Sequence, residues 1–187
     1  MKHSYIVVAA LAVAVFASGC GGESKPDREA GATYLKAVEQ LFLGAAHDRL
    51  TIEAQGGGET PVTTPSDDER VSRARTRLRE LTSLARETRS DLDDLDPPSE
   101  LTTAHKKLLD ALEDFADGWQ EFIDSDEFAE YVLTLAQGDT PAQFQELNRR
   151  LGLEDLAVLS ARIDEACAEL QEFADAHAVE VRLCDDE

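Results

Sequence analysis

Four long stretches of this chain put an apolar or small residue at every third or fourth position. Val71, Ala74, Leu78, Leu81, Ala85, Thr88, Leu92 and Leu95 step by threes and fours without a break, and so do Leu101, His105, Leu108, Leu112, Phe115, Trp119 and Phe122. Leu156, Leu159, Ile163, Ala166, Leu170, Phe173 and His177 make a third such line. A looser one runs through Tyr34, Val38, Leu41, Ala45, Asp48 and Ile52, widened by Leu35 and Phe42. Such steps average to about 3.5 residues, the seam of a helix packed lengthwise against other helices.

The residues between the stripes agree with the period. Gly56-Gly57-Gly58 ends the first helix, and a loop through Pro61 and Pro65 follows. Ser66 with Glu69 three residues on reads as a capping box for the second helix. Pro97-Pro98 stops that helix, and Ser99 is placed to cap the third. A short helix around Phe128, Tyr131, Val132 and Leu135 closes at Gly138. Thr140 and Pro141 then open another, which carries Phe144, Leu147 and Leu151 to Gly152. Helices of about 27 residues are about 40 Å long. The expected fold is therefore all-α: an antiparallel four-helix bundle, with a short helical hairpin (Ser125 to Gly152) inserted before the last long helix and capping one end. In that topology the start of the first helix, the Pro97 turn and the C-terminus share one end. The triple-glycine loop and the hairpin share the other.

The first residues lie outside this pattern. Lys2 and His3 precede an apolar run of 11 residues, Ile6 to Phe16. Spanning a bilayer takes about 20 residues, so the run has the proportions of the apolar core of a secretory signal. Ala17-Ser18-Gly19-Cys20 follows it and resembles the lipobox of bacterial lipoproteins, although Ala17 stands where leucine is usual. The resemblance covers only these first twenty-odd residues. It implies that Cys20 receives a diacylglycerol on its thiol, that the signal is cut before it, and that Cys20 becomes the N-terminus. Acyl chains contribute about 0.8 kcal/mol per buried methylene, so two or three of them anchor stably. The expected organisation is a signal peptide over 1–19, a lipidated tether over 20–26 and a helical bundle domain over 27–187.

Composition narrows the partners. The 187 residues fit one domain, with 39 acids against 18 bases and a formal net charge of −21. That surface repels nucleic acid and anionic headgroups, so contact with the membrane falls to the lipid. The charge is also unevenly spread. From Leu108 to Asn148 there are 11 acids and no Lys or Arg, while Arg70, Arg73, Arg75, Arg77, Arg79, Arg86 and Arg89 crowd the second helix. In the bundle these two runs overlap at the end away from the tether. They read either as interhelical pairs that set register or as an acidic lobe for a cationic partner or metal ions. Glu127, Phe128, Glu130, Tyr131 and Phe144 are the candidate partner-binding residues there. Alternatively, the aromatics plug the end of the bundle.

Little else carries chemistry. Cys167 and Cys184 are the two cysteines left after Cys20, and an even number in an exported chain favours a disulfide. Cys167 lies about 15 Å back from the end of the last helix, within reach of the seven residues from His177 to Cys184 at about 3.3 Å each. The C-terminal tail is therefore expected to fold back and be tied there. His105 and His177 both fall on apolar stripes, near each other or buried apart. A di-iron bundle needs glutamate three residues before such a histidine, and Thr102 and Ala174 stand there instead. No catalytic elbow, zinc-protease, phosphate-loop or calcium-loop motif occurs. The chain reads as non-enzymatic, without cofactor or metal. The expectation is a lipid-anchored binding or scaffolding protein on the outer face of the bacterial membrane, or on its periplasmic side. The alternative is a ligand- or metal-binding envelope sensor using His105 or the acids.

Overall fold

A computed structural model describes residues 25–57, 65–136 and 141–183. The signal segment, Cys20, Gly138 and Cys184 lie outside the described residues, as does the side chain of Phe144. Among those described, the chain is all-helical: α1 (Lys25–Gly57), α2 (Asp67–Asp93), α3 (Thr102–Asp124), α4 (Glu127–Ala136), α5 (Pro141–Arg150) and α6 (Glu154–Ala176). None of these helices is long and apolar enough to cross a membrane.

The helix ends show which local signals acted. Ser66 caps α2, its hydroxyl accepting from the Glu69 amide at 3.3 Å. The Glu69 carboxylate turns instead to Arg73 at 2.5 Å, so only half of the capping box forms. Ser99 does not cap α3. The Leu101 amide bonds back to Pro98 O at 2.9 Å in a tight turn, and Leu101 itself, 2 % exposed, is drawn into the core as the N-cap residue. Burial of that side chain sets the helix start here. Gly152, with φ of 68°, ends α5 in the left-handed conformation, and the Leu153 amide closes back on Asn148 O at 2.9 Å. The same closure ends α6 without a glycine: Ala178 has φ of 53°, and the Val179 amide reaches Ala174 O at 2.8 Å.

Helices α1, α2, α3 and α6 follow one another side by side as a bundle, with α3 packed most extensively, against both α2 and α6. Ion pairs record the antiparallel register. Arg79 meets Asp124 at 2.6 Å, Arg86 meets Asp117 at 2.9 Å and Arg89 meets Glu113 at 3.5 Å, the numbers rising along α2 as they fall along α3. Arg162–Asp114 and Lys107–Glu169 repeat the arrangement between α6 and α3. The interhelical pairing of the arginine-rich and acidic runs is thus present. Such exposed pairs contribute only about 0–1 kcal/mol each, so their effect is on register.

Two apolar clusters fill the bundle. The one at the end where α1 begins gathers Tyr34, Leu35, Val38, Leu92, Leu108, Leu170 and the tail residues Val181 and Leu183. The distal one gathers Phe122, Ile123, Phe128, Leu153 and Leu156, with Val71, Leu78 and Trp119 against them. Between them the buried positions shrink to Ala111, Ala116 and Thr82. Among the described residues, none of α1 enters the distal cluster. Helix α4 supplies Phe128, Tyr131 and Val132 there and packs against α2 and α3. The hairpin is therefore no simple end cap: α4 takes a side position in the distal half, while Leu43 and Leu50 of α1 stay 56 % and 64 % exposed.

Candidate functional site

Tyr34 and His105 form a buried polar pair at the end of the bundle where α1 begins. They fall on the apolar stripes of α1 and α3, which brings them together: the Tyr34 hydroxyl lies 2.7 Å from His105 Nδ1, with the rings edge to face. Burial pushes the Tyr34 phenol up to about 12, so the hydroxyl stays protonated. Burial also pulls His105 below its usual range, opposed by the charge of Asp93. In the tautomer with its proton on Nε2 the neutral ring accepts from the hydroxyl at Nδ1, and in the other it donates to it. His177 is engaged elsewhere. Its ring stacks on Phe173 at 3.9 Å between centroids, its Nδ1 lies 2.8 Å from Phe173 O, and its own carbonyl accepts from Arg28 at 2.6 Å. The two histidines thus have different aromatic partners.

The His105 shift has a consequence for stability. Its folded pKa is depressed, so below pH 6.5 the unfolded chain takes up a proton that the folded one resists. Stability contributed by the neutral ring is full above pH 6.5 and is lost as pH falls towards the folded pKa. The urea midpoint is expected to fall between pH 6.5 and about 5, above the carboxylate range, and to flatten there in His105→Asn. An equal slope in both proteins would assign the effect to other groups.

At the distal end, Phe128 is fully buried. Its ring meets Phe122 edge to face at 5.7 Å, and the Arg75 guanidinium lies 5.3 Å from its centroid. Tyr131 is half-buried against Phe122 at 5.4 Å, and burial raises its phenol. Glu130 pairs with Arg150 across the hairpin, and Glu127 is exposed. Of the candidate partner-binding residues, the structure therefore brings Phe128 and Tyr131 together in the core and leaves the carboxylates at the surface. Among the described residues no three His, Cys, Asp or Glu side chains gather as metal ligands would.

Sequence reasoning missed two features. The Tyr34–His105 bond was signalled only by two polar-tipped rings at seam positions. The other is a groove of about 400 Å³ between the end of α3 and the α5–α6 turn. It depends on where Gly152 turns the chain, which no periodicity reports. No family model, curated protein or solved structure matches this chain.

Proposed function

We propose that this protein is a lipid-anchored, extracytoplasmic helical protein of the bacterial cell envelope with a non-enzymatic binding or scaffolding role. The observation that carries the reading is the placement of α1. It begins at Lys25, five residues after the lipobox-like cysteine, and runs 33 residues, about 50 Å at 1.5 Å per residue. A lipid on Cys20 holds one end of the bundle against the headgroups, and the acidic hairpin stands at the far end. Charge favours a cationic partner, because a surface of net charge −21 steers such partners in and keeps nucleic acid away. The test is fractionation of cells carrying Cys20→Ser. The wild-type protein is expected in the detergent phase and the variant in the aqueous phase or retained as precursor. Identical partitioning of an identically processed species would contradict the anchor.

The tail belongs to the same reading as a Cys167–Cys184 disulfide. Cys167 is buried one turn before Gln171, and Gln171 accepts from the Leu183 amide at 3.1 Å. Leu183 thus ends the described tail about one turn of α6 from Cys167. Peptide mapping without reductant is expected to yield the linked pair.

A further inference from the structure

The groove beside the α5–α6 turn has an apolar floor and an acidic rim. Phe122 and Leu156 are each 9 % exposed, and half-buried Leu159 lies beside them. Gly118 brings α3 close to α6 here: a Cβ at that position would fall 2.6 Å from Leu159 Cδ1 and 3.2 Å from Leu156 Cδ2. Around the rim stand the exposed carboxylates of Glu121, Glu127 and Asp155. One cation, Arg150, also lines the groove, and its guanidinium is paired with Glu130. The rim is therefore left net negative over an apolar floor.

We propose that this groove docks a cationic amphipathic segment of a partner protein. The inference rests on the binding role proposed above and names its surface and the chemistry it selects. Charge complementarity identifies the occupant. A lysine or arginine side chain lays its methylene stem on apolar surface and keeps its charged head in polar surroundings, which is the arrangement of this floor and rim. Apolar side chains of the same segment fill the space over Phe122 and Leu156, and the carboxylates set register and association rate. A second copy of the chain is disfavoured, since each carries a net charge of −21. The contact surface thus lies on the α3–α6 side of the distal end, and Phe128 and Tyr131 support it from behind.

The single tryptophan, Trp119, meets Phe122 of the groove floor edge to face at 6.1 Å between ring centroids and reports on the groove from behind it. The full lipidated chain in zwitterionic detergent is titrated with a tryptophan-free peptide of leucine and lysine pairs, with empty micelles as control. Trp119 emission is expected to shift saturably. Binding is expected to weaken about tenfold in the triple variant Glu121→Gln, Glu127→Gln, Asp155→Asn and again towards about 0.15 M salt, where exposed charges are screened. Glu80→Gln, Glu165→Gln, Glu172→Gln removes the same charge elsewhere and is expected to leave binding unchanged. Oligolysine, which lacks the apolar side chains, is expected to bind about tenfold more weakly. Equal weakening in both triple variants, or equal affinity for oligolysine, overturns the groove as the site. So does a salt-sensitive dimer of the protein alone that the rim variant abolishes, since the occupant is then a second copy. If the groove fails but charge-dependent capture of a native envelope partner persists, the inference falls and the binding role stands. If neither peptide nor partner binds, both fall.

Discussion

Phe128→Ala is expected to destabilise the protein by about 3–5 kcal/mol, the largest effect of any single truncation in the hairpin. Phe128 has no exposed surface and sits where α4 meets α2 and α3. Removing the ring loses its transfer energy and leaves a cavity lined by Phe122 and the stem of Arg75, both held on long helices that cannot collapse into it. The Arg75 guanidinium also loses the ring face beneath it. Its remaining bond, Nε to Ile123 O at 3.2 Å, stays in place. Phe128→Leu keeps most of the volume and is expected to cost less than about 1.5 kcal/mol. Glu127→Lys, one residue away and exposed, is expected to stay within about 0.5 kcal/mol. Urea unfolding of the three variants checks the ordering. An unchanged midpoint for Phe128→Ala would mean that α4 does not build the distal core.

Deleting the tail after Ala178 is expected to cost about 3–5 kcal/mol, from two buried side chains and the hydrogen bonds beside them. Val181 and Leu183 are 7 % and 5 % exposed, packed into the cluster at the end where α1 begins. Gln171 holds both: its Nε2 donates to Val181 O at 3.2 Å, and its Oε1 accepts from the Leu183 amide. The Arg182 amide donates to Glu39 of α1 at 2.8 Å. The tail therefore bridges α6 and α1, which otherwise meet little beyond the approach of Gly31 to Phe173 and the bond from Arg28 to His177 O. Unfolding of the truncated chain, compared with Gln171→Ala, separates apolar burial from the hydrogen bonds. A truncated chain as stable as the full one would show that the tail does not close the seam between α1 and α6.

How far the sequence carried the fold differs by element. The unbroken stripes of α2, α3 and α6 and the Ser66 cap correspond to observed helices, because burial along a seam and a local cap both leave marks at fixed spacing. The looser stripe of α1 corresponds to a helix that leaves the core halfway, with Leu43 and Leu50 exposed. Ser99 failed as a cap because a buried Leu101 outweighed a local propensity, which periodicity alone does not rank. The lateral docking of α4 was equally hidden, since Phe128 reads alike as an end plug, a contact residue or a core residue. Of the candidate site, the acidic charge was legible and the groove was not. Its floor joins residues of α3 and α6, but one wall is the turn at Gly152, whose path no periodicity reports.

The anchor at Cys20 is the central claim, and the intact mass of the protein extracted from its native membrane into detergent tests it most directly. The expected species begins at Cys20 and exceeds the mass of residues 20–187 by a diacylglycerol, with or without a further acyl chain on the new N-terminus. A water-soluble protein with an unmodified thiol at Cys20, or one that begins at any other residue, would contradict it.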